Sequence, residues 1–261
     1  MNAEAALVFP RWSGLFVAPV PLADDEDVVS AVVRNSRLNA TVSPWLQLGF
    51  FRFGSGYGEL VFDYRFLASE GSQTVPLLET EDALRLRSRL NLQTFGIDYV
   101  RNDIELPCGA TVNWNLGGYL QVVFFDTQSY VEDLFQHVSN YFFGAGPRFG
   151  VGLTQPLTPG LSLFAHGNAA WMVGYNVTQN FTVEINDPEN GVLSGELDRE
   201  RSIGSPWWAA RTGLTWTPAR WPTARFQGGY QFEQWYRLGR IGDSRGDLSA
   251  HGIFINWELD F

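Results

Sequence analysis

LSAHGIFINWELDF, residues 248–261, ends the chain and decides how the rest of it is read. His251, Ile253, Ile255, Trp257, Leu259 and Phe261 share one parity, and Gly252, Phe254, Asn256, Glu258 and Asp260 the other. A period of two is the signature of a strand, here with one apolar face that finishes in an aromatic residue. Such a strand has two homes: a soluble sandwich or barrel with its apolar face inward, or a membrane-spanning wall with that face outward.

The same alternation recurs upstream. Residues 3–17 form a first strand interrupted by Pro10, and in 42–53 Leu46, Leu48 and Phe50 alternate with Gln47 and Gly49. Leu60, Phe62, Tyr64 and Phe66 oppose Glu59, Asp63 and Arg65. In 84–100, Leu84, Leu86, Leu90 and Leu92 oppose Arg85, Arg87 and Arg89, and the apolar parity then switches to Phe95, Ile97 and Tyr99. One inserted residue would cause that switch, so a bulge is expected between Gln93 and Gly96. Further alternating runs occupy 111–125, 140–154, 161–177, 207–217 and 224–238.

These runs number ten, with no helical segment. Short turns at Gly54, Pro107, Pro159 and Pro222 trade places with polar, acidic stretches containing Asp24 to Asp27, Glu132 and Asp133, Asp187 to Glu200, and Asp243 to Asp247. The expected fold is therefore all-β: one domain over 1–261, a closed antiparallel transmembrane β-barrel of about ten strands. Its first strand (3–17) pairs with its last (248–261), with short turns on one side and long acidic loops on the other. Trp45, Tyr64, Tyr99, Trp114, Tyr141, Tyr175, Trp208, Trp216, Tyr236 and Trp257 fall towards strand ends, as interfacial girdles require. The competing reading is a soluble lipocalin-like ligand-binding barrel with its apolar face inward, and an outer-membrane barrel enzyme ranks below both.

Composition narrows the partners. No run of 18 apolar residues exists, so no transmembrane helix is expected. All 18 cationic side chains are Arg, and the net charge is −10. With no basic stripe to neutralise phosphates, no nucleic-acid partner is expected. Cys108 is alone and can form no internal disulfide. His137, His166 and His251 stand outside any metal or nucleophile motif, so no catalytic residue, metal or cofactor is expected and the chain is read as a non-enzyme. The opening residues MNAEAALVFPRWSG lack the three regions of a signal peptide, which suggests a mature or truncated form.

If the polar face lines a lumen, that lumen holds Glu59, Asp63, Arg65, Arg85, Arg87, Arg89, Arg148, Arg211, Arg225, Glu233 and Arg237 as its charge network, with Glu258 and Asp260 nearby. Eight Arg against five carboxylates predict paired charges with a positive excess and weak anion selectivity. Arg89 is expected to meet Asp63, and Glu233 to meet an Arg.

TVSPWLQLGF (41–50), ELVFDYRFLASEGS (59–72), LRSRLNLQTFGIDY (86–99), NYFFGAGPRFGVGL (140–153), GYQFEQWYRLGR (229–240) and SRGDLSAHGIFINWELDF (244–261) together resemble planctomycete outer-membrane barrels. These are grouped loosely with the Legionella-type pore-forming outer-membrane proteins. The resemblance implies residence in a bacterial outer membrane, contact with its lipid, a porin-like role towards small solutes or ions, and insertion by the barrel assembly machinery. It implies further that Trp257, Leu259 and Phe261 form the assembly signal.

Overall fold

The computed structural model describes the chain except residues 23–24, 53–57, 77–82, 132–133, 185–191, 242–243 and 260–261; side chains of 14–37 and of short stretches beside the other segments also lie outside the description. The strands are β1 (Asn2–Leu22), β2 (Asp25–Arg37), β3 (Thr41–Arg52), β4 (Glu59–Pro76), β5 (Ala83–Glu105), β6 (Thr111–Val131), β7 (Leu134–Thr158), β8 (Leu161–Glu184), β9 (Val192–Trp216), β10 (Ala224–Ile241) and β11 (Ser244–Leu259). All pairings are antiparallel, and β11 closes on β1 from Asn2↔Glu258 to Ser13↔Asp247. β3 pairs with the start of β1 and β2 with its continuation, so the two share one place in the wall and the barrel has ten positions.

The registers fix the barrel's dimensions. Paired residues lead from Ser162 through Thr215, Gln227, Asn256, Glu4, Trp45, Arg65, Thr94, Gln121 and Gly144 back to β8 at Gly174, twelve residues beyond the start. With strand spacing of about 4.7 Å and a rise of about 3.3 Å per residue, this stagger sets a tilt of about 40° and a backbone radius of roughly 10 Å. Side chains on opposite walls of so narrow a barrel touch.

Parity assigns the faces. Leu46, Leu48, Ile97, Leu116, Phe149, Val151, Trp171, Val173, Leu214, Ile253, Ile255 and Trp257 point outward and are exposed, forming an apolar band around the turn-side half of the wall. Gly96, Gly117, Gly150 and Gly152 belong to the inner face, with polar side chains folded over them. The strands, up to 25 residues long, are about twice the 9–11 residues a crossing needs.

That excess length accounts for two departures from the sequence reading. The acidic stretches are mostly strand: Asp25 to Asp27 open β2, Asp126 to Val131 end β6, Glu196, Asp198 and Glu200 lie in β9, and Asp247 lies in β11. Glu132, Asp133, Asp187 and Glu189 fall outside the described residues. Nor is there a bulge at Gln93 to Gly96, because β5 pairs without interruption from Ala83↔Pro76 to Val100↔Glu59. What changes at Thr94 is the environment. On the turn side the outer face is apolar and the inner face polar; beyond it Leu84, Leu86, Leu90 and Leu92 are buried inside while Arg85, Arg87 and Arg89 are exposed outside. An unbroken strand that leaves the bilayer and enters water inverts its pattern, because its outward face becomes the wet one.

Candidate functional site

The interior is layered. In the part beyond the bilayer, Trp12, Leu67, Leu84, Leu90, Leu92, Phe125, Phe142, Met172, Trp235 and Leu248 form a buried apolar core. Trp12 stacks on Phe125 from the opposite wall at 4.1 Å between centroids, 4° from parallel, so the core reaches across the full width of the lumen.

Beneath the core lies a belt of charges that also bridges the barrel. Arg65 pairs with Glu233 across the lumen and donates through Nε to Ser43 Oγ at 2.9 Å. Arg148 reaches two strands at once, pairing with Asp63 on β4 and with Asp98 on β5, the latter through Nε to Oδ1 at 3.1 Å. Asn115 Nδ2 donates to the second Asp98 oxygen at 3.0 Å. Arg211 pairs with Glu4 and donates to Gln231 Oε1 at 3.0 Å, its guanidinium 4.3 Å from the Trp45 ring centroid and 4.5 Å from that of Phe254. Tyr119 joins the two layers: Arg148 lies 4.9 Å over one face and Trp207 stacks at 4.7 Å.

Glycine makes this belt possible. A Cβ on Gly96 would collide with Asp63 and Arg148, and one on Gly117 with Asp98. Only the bare backbone leaves room for the charged groups to cross the inner wall.

Below the belt a polar cavity of about 900 Å³ opens at the turn side, lined by residues next to the turns such as Gly58, Thr111, Pro156 and Thr217. Asn113, Asn115, His166, Asn168, Gln227 and Asn256 project into it, and Arg225 meets Glu258 at 3.8 Å at its rim.

A family model described as the Legionella pneumophila major outer membrane protein precursor matches residues 95–261. The chain belongs to this family. Membership places it in the bacterial outer membrane, so the short turns face the periplasm and the long hairpins face outward. No curated protein sequence matches it. Among solved structures, the toluene transporter TodX of Pseudomonas putida aligns at 7% identity over 100% of this chain and 89% of that one, with a TM-score of 0.30. The transport unit of the autotransporter AIDA-I from Escherichia coli aligns at 10% identity over 100% and 91%, with a TM-score of 0.37.

In this outer-membrane protein the structure brings Asp63, Arg65, Arg148, Arg211 and Glu233 together in the belt, and places Glu59 and Arg225 below it in the periplasmic cavity. Arg85, Arg87 and Arg89 do not belong to the lumen. Arg87 and Arg89 meet Glu70 on the outer surface at 3.1 and 3.0 Å, so the expected Arg89–Asp63 contact does not exist and Asp63 holds Arg148 instead. Arg237 is also exposed, at a register shift where its backbone takes a positive φ of 58° and its N–H donates to Asp247 Oδ1 at 2.9 Å. Trp45 faces the lumen as a platform for Arg211, whereas Trp208, Trp216 and Trp257 point outward.

Losing four arginines reverses the expected charge excess. In the belt and the cavity below it, Arg65, Arg148, Arg211 and Arg225 face Glu4, Glu59, Asp63, Asp98, Glu233 and Glu258, an excess of two carboxylates among the described residues. Glu4 and Asp98 are the belt carboxylates that the sequence reading missed. Asp98 sits between outward Ile97 and Tyr99 and so shares the inner parity, and Glu4 is in register with inward Asn256.

Of the histidines, His166 lies in the cavity in register with Arg211. His251 faces outward, its Nδ1 2.7 Å from the Tyr230 hydroxyl. His137 contacts Asp126 at 3.3 Å on the outer surface. Cys108 is exposed in a periplasmic turn. Trp257 and Leu259 lie at the end of β11, and Phe261 falls outside the described residues.

Proposed function

We propose that this protein is a narrow, porin-like outer-membrane barrel whose lumen is closed at rest. The observation that carries the reading is the belt: three guanidinium groups, held by carboxylates on other strands, cross a lumen of roughly 10 Å backbone radius. Above it the stacked aromatics fill the remaining width. Passage of an ion requires these pairs to part, and the carboxylate excess favours cations at the point where they do. The outward apolar band would contact membrane lipid, and the C-terminal strand would be read by the assembly machinery. Family membership and the outward apolar band both support this over a soluble barrel, in which the apolar face would be enclosed.

Conductance in planar bilayers tests the proposal. The unmodified protein should show small, infrequent, weakly cation-selective openings. Arg65→Ala combined with Glu233→Ala should raise the open fraction. Stable nanosiemens-scale channels from the unmodified protein, or anion selectivity, would overturn it.

A further inference from the structure

We propose that the periplasmic cavity is a binding site for a neutral saccharide segment about two rings long. The belt residues Asp98, Arg148 and Arg211 form its roof, and the inference rests on the belt being in place but not on conduction. At about 900 Å³ the cavity falls within the range of small-ligand sites, and the belt leaves only the periplasmic mouth for entry.

Its chemistry selects the ligand. The side chains reaching into it are chiefly amides and hydroxyls, and an amide offers a donor and an acceptor on one planar group, as a sugar hydroxyl requires of its partners. The amides are also fixed in place. Asn256 Nδ2 donates to Gln227 Oε1 at 2.9 Å and Asn115 Nδ2 to Asp98. Gly150 lies beneath the oxygens of Asn115 and Asn168, and Gly152 beneath that of Asn113, at positions where a Cβ would collide with them. Asn256 is 3% exposed, and its Oδ1 has no hydrogen-bond partner among the described residues. That oxygen has almost no open surface, so Asn256 acts on the ligand through Gln227, whose amide it holds in place.

The charges argue against an anionic ligand. Arg148 and Arg211 are held by belt carboxylates, and Arg225 lies at the rim beside Glu258. Phe164, set edge-on to Phe254 at 6.1 Å, supplies the apolar surface on which the C–H face of a sugar ring can rest.

The test uses the full chain folded in detergent, with cellobiose and N,N′-diacetylchitobiose as probes in isothermal calorimetry. Saturable binding is expected for at least one of them, with a Kd of about 1 mM. Asn168→Leu and Asn256→Leu, made separately, should each weaken it at least tenfold. Ser249→Ala, on the outer face, should leave it unchanged. Unaltered heat-modifiable migration on gels shows that a variant still forms the barrel; if one amide variant fails to fold, the other decides. No saturable heat with either sugar up to about 50 mM, or binding that survives intact in a folded amide variant, would overturn the assignment.

Discussion

Replacing Arg65 by Met is the sharpest test of the belt. The guanidinium and the Glu233 carboxylate are 4% and 3% exposed, so neither can turn to bulk water when its partner is removed. Glu233 Oε2 already lacks a hydrogen-bond partner among the described residues, and the substitution strips the other oxygen as well. Ser43 Oγ loses its donor at the same time. Breaking a buried pair from one side costs about 3–5 kcal/mol, so with a urea dependence near 2–3 kcal/mol per molar the unfolding midpoint should fall by roughly 1–2 M. Tryptophan fluorescence during reversible unfolding from lipid vesicles measures it. Combining Arg65→Met with Glu233→Leu should recover most of the loss, since an apolar pair of similar volume needs no hydration. A single variant within about 0.5 kcal/mol of the parent, or a double variant as unstable as the single one, would refute the view that burial of the pair sets its energetics.

Gly96→Ala should separate Arg148 from Asp63 and lower stability by about 1–3 kcal/mol, with channel openings becoming more frequent in the same preparation. On the outer surface the hydrogen bond from Arg87, then the nearby Arg89, hold the Glu70 carboxyl below its usual 4.5. A group depressed in the folded state contributes stability that is complete above its ordinary value and is lost as pH falls through the lowered one. Glu70→Gln should therefore lower stability slightly at neutral pH, and the parent and variant pH–stability curves should converge as pH falls through the lowered value. Phe261→Asp should reduce the heat-modifiable, membrane-inserted fraction in cells; normal levels would remove the C-terminal aromatic from the proposed assembly signal.

The barrel was legible in residues 248–261 because a strand with one apolar and one polar face keeps its parity wherever it sits. Its position relative to the bilayer was not. Leu84 to Leu92 and Arg85 to Arg89 alternate as cleanly as Ile97 and Asp98 do, but alternation does not state which side is wet. The change of parity at Thr94 marks the exit from the membrane, and a bulge produces the same string of letters. The polar hairpins were misread as loops for the same reason, since an outward strand face in water carries loop-like residues. Within the belt, Asp63, Arg65 and Glu233 could be found from parity. Their pairing could not, because Arg65 and Glu233 are brought together by barrel closure across 168 residues.

The length of the strands has a consequence at the cell surface. A strand of 24 residues inclined at about 40° stands roughly 60 Å tall, more than twice the 25 Å apolar band of such walls. Even with some overhang into the periplasm, the outer ends of the long strands stand well above the lipid. They meet large bodies such as antibodies and phage particles before the lipid does. Substitution on those outer strand ends can change what the cell presents to its surroundings while the belt, far below, keeps the same contacts.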